Sequence, residues 1–300
     1  MALVRRFFVE KGFGEVETPY LQECPNLDPY IEPFQVEKNL FLHTSPEYQM
    51  KKLLGAGLGN IFQICKAFRR EKATSLHRRE FTMVEWYRIG CDYTSMMEDV
   101  RDMVLFLADG LGVGPVVSID GTRIDLGKGW LKITVSQAFQ EFAGVDPLSL
   151  GEKEFWRFLV DEGFAVSPQD SWATCFHYLF VARVEQGLAS IDSPVFVYDY
   201  PACLSVMARL KPEDPRICER VELYIKGIEI MNGYTELTDV EEQEERLRRE
   251  RMRRGVSWPV DKDLLDALAF IPSAAGAALG FDRLLAVLMG TGDIGPYMLE

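Results

Sequence analysis

Residues 68–87 read FRREKATSLHRREFTMVEWY, a basic and polar run that passes into EFTMVEWY, where side chains alternate as in a strand. Arg69 and Glu71 sit two apart at one end, and Glu85 lies among aromatics at the other. A hairpin-like segment with both charge signs at one end and an acid beside aromatics at the other suits the joint holding of a phosphate, a base and a cationic group. Arg69 supplies a planar, permanently charged fork for phosphate, and Phe81 a ring face for a purine. Glu71 can accept from an exocyclic amine. A surface Arg/Glu ladder would use the same residue types, and a loop histidine such as His77 is more often solvated than functional.

On the N-terminal side, residues 2–11 place Leu3, Val4, Phe7 and Phe8 at helical spacing, and EVETPYL then turns extended. SPEYQMKKLLGAG predicts a helix capped by Ser45 with Pro46 at its first position, and NIFQICKAF a buried strand. GAGLGN at 55–60 lacks dinucleotide-fold spacing and reads as a helix stop. On the C-terminal side, YTSMMEDVRDMVLFLADGLG predicts an amphipathic helix starting near Thr94 or Ser95, and 141–190 alternates short helical patterns with loops. PVFVYDYP and VELYIKGIEIMNG are strands, 239–254 and 261–269 helices, and SAAGAALGFDRLL a glycine-spaced strand running into a helix. Neither internal repeats nor low-complexity runs are visible. Hairpin-linked strands with helices outside predict an α+β domain on a mostly antiparallel sheet.

Glu222, Glu229 and Glu236 recur at seven-residue spacing in VELYIKGIEIMNGYTEL. With Lys226-Gly227 as a two-residue turn, Tyr224 would oppose Glu229 and Glu222 would oppose Met231, leaving Glu222 and Glu229 as diagonal neighbours about 7–8 Å apart on one face. Two carboxylates facing one space call for a cation, and Mg²⁺ held partly by substrate phosphates suits hard oxygen ligands. A solvated acidic sheet surface is the alternative. In SAAGAALGFDRLL the small residues from Ala274 to Gly280 let a ligand or another backbone approach, and Arg283 at a helix start favours an anion.

The chain has 300 residues, 47% of them hydrophobic, enough for a full-sized core, and no apolar run reaches the roughly 18 residues of a membrane span. A soluble, cytoplasmic protein is expected. Six cysteines without CxxC spacing predict reduced, mostly buried thiols and neither a zinc site nor a disulfide framework. The net charge of −13 opposes non-specific attraction to a polyanion. The densest basic run, RLRRERMRRG, places Glu242/Arg246, Glu244/Arg248 and Glu245/Arg249 at i,i+4, as on a solvated helix. His43 and His177 have no partner that the sequence reveals.

RRFFVEKGFGEVETPYL, FRREKATSLHRREFTMVEWY and GAALGFDRLL resemble, in order and spacing, the three motifs of class II aminoacyl-tRNA synthetases, over almost the whole chain. TSPEYQMKKLL, EFTMVEWY and GIEIMNGYTEL are similar to the lysyl branch. Within it the chain resembles the free-standing ligases that act on elongation factor P. It begins inside the motif 1 helix, so a single catalytic domain over 1–300 is expected, with no N-terminal OB-fold for an anticodon.

The resemblance implies an ATP- and Mg²⁺-dependent, AMP-forming enzyme that activates (R)-β-lysine or lysine and passes it to a lysine of elongation factor P rather than to tRNA, as a homodimer. By the same resemblance Arg69 and Arg283 are the catalytic arginines, at the α- and γ-phosphates. Glu71, His77, Phe81, Glu229, Ile230 and Gly280 complete the ATP site, and Glu222 and Glu229 hold the metal. Ser45, Glu47, Glu85, Tyr87, Asn232, Glu236 and Ala278 surround the amino acid. An acid-rich pocket of this kind should prefer cationic side chains. Ser45 and Ala278 stand where the tRNA enzymes usually carry alanine and glycine. Arg78 and Arg79 replace a usual Asn-Pro pair, and Thr235 a frequent histidine, and the short segment that usually precedes motif 1 is missing. A stand-alone tRNA-charging enzyme and a non-catalytic amino-acid-binding paralogue are the rival readings.

Overall fold

The computed structural model describes residues 1–297. Its first half comprises α1 (Ala2–Glu10), β1 (Gly14–Glu15), β2 (Leu21–Gln22), β3 (Gln35–Glu37), β4 (Leu40–Leu42), α2 (Glu47–Gly55), β5 (Ile61–Phe68), β6 (Glu80–Ile89) and α3 (Tyr93–Gly110). A small hairpin, β7 (Val116–Ile119) and β8 (Thr122–Asp125), and then β9 (Leu131–Thr134) lead to a helical insertion. The insertion holds α4 (Val135–Ala143), α5 (Glu152–Asp161), α6 (Trp172–Leu179) and α7 (Glu185–Ala189), with a π-helical turn over Phe180–Val184 before α7. The chain then forms β10 (Val195–Pro201), β11 (Leu210–Lys211), β12 (Asp214–Ile225), β13 (Ile228–Thr235), α8 (Val240–Arg254), α9 (Lys262–Leu268), β14 (Ala274–Gly280) and α10 (Phe281–Leu288).

The central sheet runs β1-β5-β6-β14-β13-β12-β10-β9, with β11 beside β12. Among the described residues only the β1–β5 and β9–β10 pairs are parallel. The expected α+β architecture on a mostly antiparallel sheet is therefore present.

Side chains alternate across a strand, and here the alternation separates a core from a site. Val84 and Trp86 of β6, Val221, Leu223 and Ile225 of β12, and Ala275, Ala277 and Leu279 of β14 are buried in a core with α1 and α3. Their neighbours on the opposite face, among them Glu85, Glu222 and Ala278, line open cavities. A second core forms inside the helical insertion around Phe139, Phe155, Phe176 and Phe180. A third joins α2 and α9 around Leu54, Leu264 and Leu268.

The β12–β13 hairpin departs from the expected register. Lys226 and Gly227 both take positive φ (55° and 73°), as a tight primed turn requires, and Tyr224 does oppose Glu229. The register then slips, so Leu223 opposes Met231 and Glu222 opposes Asn232 instead of Met231. The extra residue, Ile230, is a β-bulge, and both Ile230 and Met231 turn into the core. Without it Glu229 and Asn232, three apart, would point to opposite faces; with it both reach the cavity side.

Two caps also differ. α3 is capped by Asp92, which accepts from the Thr94 N–H at 2.9 Å, because an extended Asp92 places its carboxylate in the path of that donor. α2 begins at Glu47 with Pro46 at the N-cap; Ser45 Oγ accepts from the Glu47 N–H (3.1 Å) while its own proton goes to Glu85. All six cysteines are free, but only Cys65, Cys175 and Cys218 are buried, Cys203 being exposed. The i,i+4 pairs of α8 form as expected. Among the described residues no helix is long and apolar enough to cross a membrane.

Gly227 makes the hairpin sensitive to one methyl group. A Cβ there would require a left-handed residue and would fall 2.8 Å from Ala189 Cβ on α7. Gly227→Ala should lower stability by about 1–3 kcal/mol, read as a shifted denaturation midpoint, and an unchanged midpoint would disprove this pinning of the hairpin.

Candidate active site

Two adjoining chambers open on the cavity face of the sheet. The larger, about 340 Å³, is lined by Arg69, Glu71, His77, Phe81, Glu222, Glu229 and Arg283 among others. The smaller, about 160 Å³, is lined by Ser45, Glu47, Glu85, Tyr87 and Tyr234 among others. Arg69, Arg220, Asn232 and Ala278 border both.

Acids dominate the smaller chamber, and its floor is already partly neutralised. Lys51, fully buried on α2, sits 2.7 Å from Glu47 Oε1 and 2.5 Å from Glu236 Oε2, with its ammonium 5.3 Å from the Tyr234 ring centroid. The two carboxylates keep it charged, raising its pKa against the pull of burial. Tyr234 Oη also donates to Glu47 Oε1. Glu85 accepts from Ser45 Oγ at 2.7 Å and from Tyr87 Oη at 2.6 Å. Burial, and then repulsion from Glu47, push the Glu85 carboxyl up to about 8. Glu236 is also raised, chiefly by burial, and its Oε1 is buried without a hydrogen-bond partner among the described residues. One ammonium shared by two acids, beside a third with only neutral donors, leaves acids that hold protons in the empty chamber and would give them up to an entering cation.

The larger chamber mixes signs. The Arg69 guanidinium lies 5.0 Å over the Phe81 ring and its Nε donates to the Thr44 carbonyl at 3.3 Å. Burial pulls its pKa down although Asp28, Glu71 and Glu229 push the other way, which marks an under-compensated cation. Arg283, in the first turn of α10, donates to the Glu229 carbonyl at 2.9 Å and approaches its Oε2 at 3.4 Å. α10 is fastened to β6 by the Thr82 N–H, which donates to Asp282 Oδ2 at 2.6 Å. Gly280, where β14 ends and α10 begins, also borders the chamber. Ile230 buries its side chain in the core, so what it offers the chamber is main chain.

Glu222 and Glu229 do share this chamber, in different states. Glu222 Oε1 accepts from Arg220 at 2.5 Å and its Oε2 from Tyr200 and, at 2.6 Å, from Tyr224. The Glu229 side chain is 41% exposed and, among the described residues, meets only Arg283. A magnesium ion fits Glu229 as a direct ligand, whereas Glu222 would first have to release a donor. Among the described residues no three His, Cys, Asp or Glu side chains form a ready-made metal cage, and Mg²⁺ ordinarily needs only one or two carboxylates beside substrate phosphates.

Several lining residues escaped the sequence reading. Arg220, which also donates to Asn232 Oδ1 at 2.9 Å, and Tyr224 flank Glu222 on one face of β12, a signal available from alternation, whereas Tyr200 is visible only once β10 and β12 pair. Glu185, from α7, faces Glu229 and Glu222 and is pushed up to about 7 by burial and their charges. His177 borders both chambers and meets Tyr30 edge-on at 4.9 Å. Lys51 had a signal, since KK four residues after Glu47 is an i,i+4 pair. His43 is structural, its Nε2–H donating to the Lys66 carbonyl at 2.6 Å. Arg78 turns back onto the carbonyls of Thr74 and His77, and Thr235 accepts from the Tyr93 N–H at 2.9 Å, tying down the start of α3.

A class II aminoacyl-tRNA synthetase catalytic domain is built in this way, with paired chambers of opposite need laid across one face of an antiparallel sheet. The chain belongs to that family: the model of class II tRNA synthetases (D, K and N) matches residues 1–297. It is 37% identical to elongation factor P–(R)-β-lysine ligases of Salmonella paratyphi B, Salmonella schwarzengrund and Salmonella choleraesuis, over 97% of this chain and 89% of each relative.

Gly276 lets the acidic chamber exist. A Cβ there would lie 2.3 Å from Tyr87 Cε1 and 2.8 Å from Glu236 Oε1. Gly276→Ala should weaken amino-acid binding about ten- to hundredfold, as overpacking of this size implies, and leave nucleotide binding near normal. Equal losses for both ligands, by calorimetry, would contradict this division of labour.

Proposed function

We propose that this chain is an ATP-dependent, AMP-forming ligase that activates (R)-β-lysine or lysine and transfers it to a lysine ε-amine of elongation factor P. The observation that carries the reading is the cluster of buried acids around Glu85 and Glu236 that lacks a second cation, set beside a chamber with two arginines, Arg69 and Arg283. The names of the relatives point to the same substrate and acceptor.

In the first step the amino-acid carboxylate attacks the α-phosphorus of ATP, forming the aminoacyl-adenylate and releasing pyrophosphate. In the second the acceptor amine attacks the acyl carbon, AMP leaves, and the amine proton passes to solvent or phosphate. No side-chain nucleophile is needed; position and charge supply the rate. Glu85, Tyr87, Glu47 and Glu236 would orient the substrate ammonium, with Ser45, Asn232 and Ala278 shaping the space around it. Arg69 would face the α-phosphate at the border of the chambers and Arg283 the far end of the triphosphate. Phe81, Glu71, His77, Ile230 and Gly280 would hold the nucleotide. Glu229 would hold magnesium, which supplies charge neutralisation of the phosphates, and Glu222 would keep Arg220 in place behind it.

The reading includes a cytoplasmic homodimer formed through the α1 region. Elongation factor P rather than tRNA as acceptor is supported by the net charge of −13 and by the ion-paired arginines of α8. Arg69→Ala should reduce amino-acid-dependent ATP–pyrophosphate exchange about a hundred- to thousandfold. Unchanged exchange would refute its role. Labelled amino acid offered with both acceptors should mark elongation factor P and not tRNA, and the reverse would establish a tRNA-charging enzyme.

A further inference from the structure

The loop between β2 and β3 brings one more acid to the amino-acid chamber. Asp28 lines it together with Pro29 and Tyr30. The other acids in the chamber, and Glu236 behind it, have near partners: Glu47 and Glu236 have Lys51, and Glu85 has Ser45 and Tyr87. The Asp28 carboxylate has neither a hydrogen bond nor an ion pair among the described residues, although its surroundings hold several donors.

The loop is fastened on both sides of this residue through its main chain. The Leu27 N–H donates to Tyr48 Oη at 3.0 Å. Arg254, at the end of α8, donates to the carbonyls of Asp28 (3.1 Å) and Ile31 (2.6 Å) and pairs with Glu32 at 2.8 Å. The Arg70 N–H donates to the Glu32 carbonyl at 2.8 Å. Arg254 thus spends its fork on carbonyls and on Glu32, leaving the Asp28 side chain open. Burial, and then Glu47, push its carboxyl up to about 7, against the pull of Arg69, Lys51 and Arg254. Asp28 is only half-buried, and its carboxylate, bordering the chamber without a protein partner among the described residues, is placed to receive a cation there.

We propose that Asp28 receives the second amino group of the diamino acid, the one nearer the reacting carboxylate, and so determines where on the carbon chain that group must sit. The inference rests on the amino-acid reading above. Glu85, Tyr87 and Glu236 serve the terminal ammonium, and Arg69 stands at the border where the carboxylate must meet the nucleotide. The second amino group is one carbon from that carboxylate in lysine and two in β-lysine, at the end of the chamber where Asp28 and Arg69 feel each other's charge.

The test compares Asp28→Asn with the unsubstituted chain in ATP–pyrophosphate exchange, using lysine and (R)-β-lysine as substrates and 6-aminohexanoate as inhibitor. That inhibitor keeps the terminal amine and the carboxylate but has no second amino group. Asp28→Asn should weaken both diamino acids about ten- to hundredfold, as loss of a charged hydrogen bond does, and leave the KM for ATP and the inhibition constant of 6-aminohexanoate unchanged. Parallel weakening of 6-aminohexanoate, a raised KM for ATP, or no change at all would overturn the assignment. Asp28→Glu keeps the charge, moves it by one methylene, and covers the case in which Asp28→Asn folds poorly. It should shift the preference between lysine and (R)-β-lysine, and an unaltered preference would overturn the assignment too. An unsubstituted chain that supports exchange with no cationic amino acid would refute the proposed function itself, a separate outcome from a normal enzyme indifferent to Asp28.

Discussion

A lysine with no access to water, Lys51, shared between Glu47 and Glu236, is the contact on which the amino-acid chamber depends. Taking an ammonium out of water costs several kcal/mol unless its partners restore that solvation, so α2 and the end of β13 are bound together by charge as well as by packing. The same contact limits what else the chamber can tolerate. One cation cannot neutralise two acids, and Glu85 adds a third that is held only by Ser45 and Tyr87 hydroxyls. The demand for a further positive charge is thereby built into the fold.

The sheet then delivers opposite demands to neighbouring spaces. Strand alternation sends Glu85, Asn232 and Ala278 to one face, and the bulge at Ile230 adds Glu229 to them. β14 lies between β6 and β13 and contributes almost no side-chain volume, so the acids of its neighbours can approach across Gly276. Arg69 follows the end of β5, where it borders both chambers. A substrate with a cationic tail and an anionic head matches the gradient from the acids to the arginines, and its carboxylate arrives where charge separation in an attack on phosphorus would be stabilised.

Much of this was legible in residue order. The alternation in EFTMVEWY and VELYIKGIEIMNG specified strands and their buried faces, and Lys226-Gly227 specified the turn between two of them. The resemblance of the motif segments led to Arg69 and Arg283, and the acid spacing in VELYIKGIEIMNGYTEL to Glu229, and the fold does gather all three in one chamber. The bulge was not legible, because Ile230 and Met231 are both apolar and either could have continued the pleat. Nor was the full state of Glu222: Arg220 and Tyr224 share its face of β12 by alternation, but Tyr200 reaches it only through pairing between β10 and β12. Asp28 lies in a loop without periodicity, and only tertiary contacts bring it to the chamber. Local patterns, then, report which face a residue takes, whereas long-range pairing decides which charges are left over.

The surplus charge has a thermodynamic sign. Glu85 is raised from the ordinary 4.5 to about 8 in the empty fold, so its protonated form contributes stability that is full at low pH and is lost as the pH rises through about 8. A bound ammonium reverses the preference and favours the carboxylate, so binding near pH 7 must expel protons. Calorimetric titration of the protein with lysine near pH 7, in buffers of differing ionisation enthalpy, measures this directly. Net proton release, with affinity rising between about pH 6 and 8, is the predicted result. Binding with proton uptake, or with none, would contradict the claim that buried acids lacking a cation select the substrate.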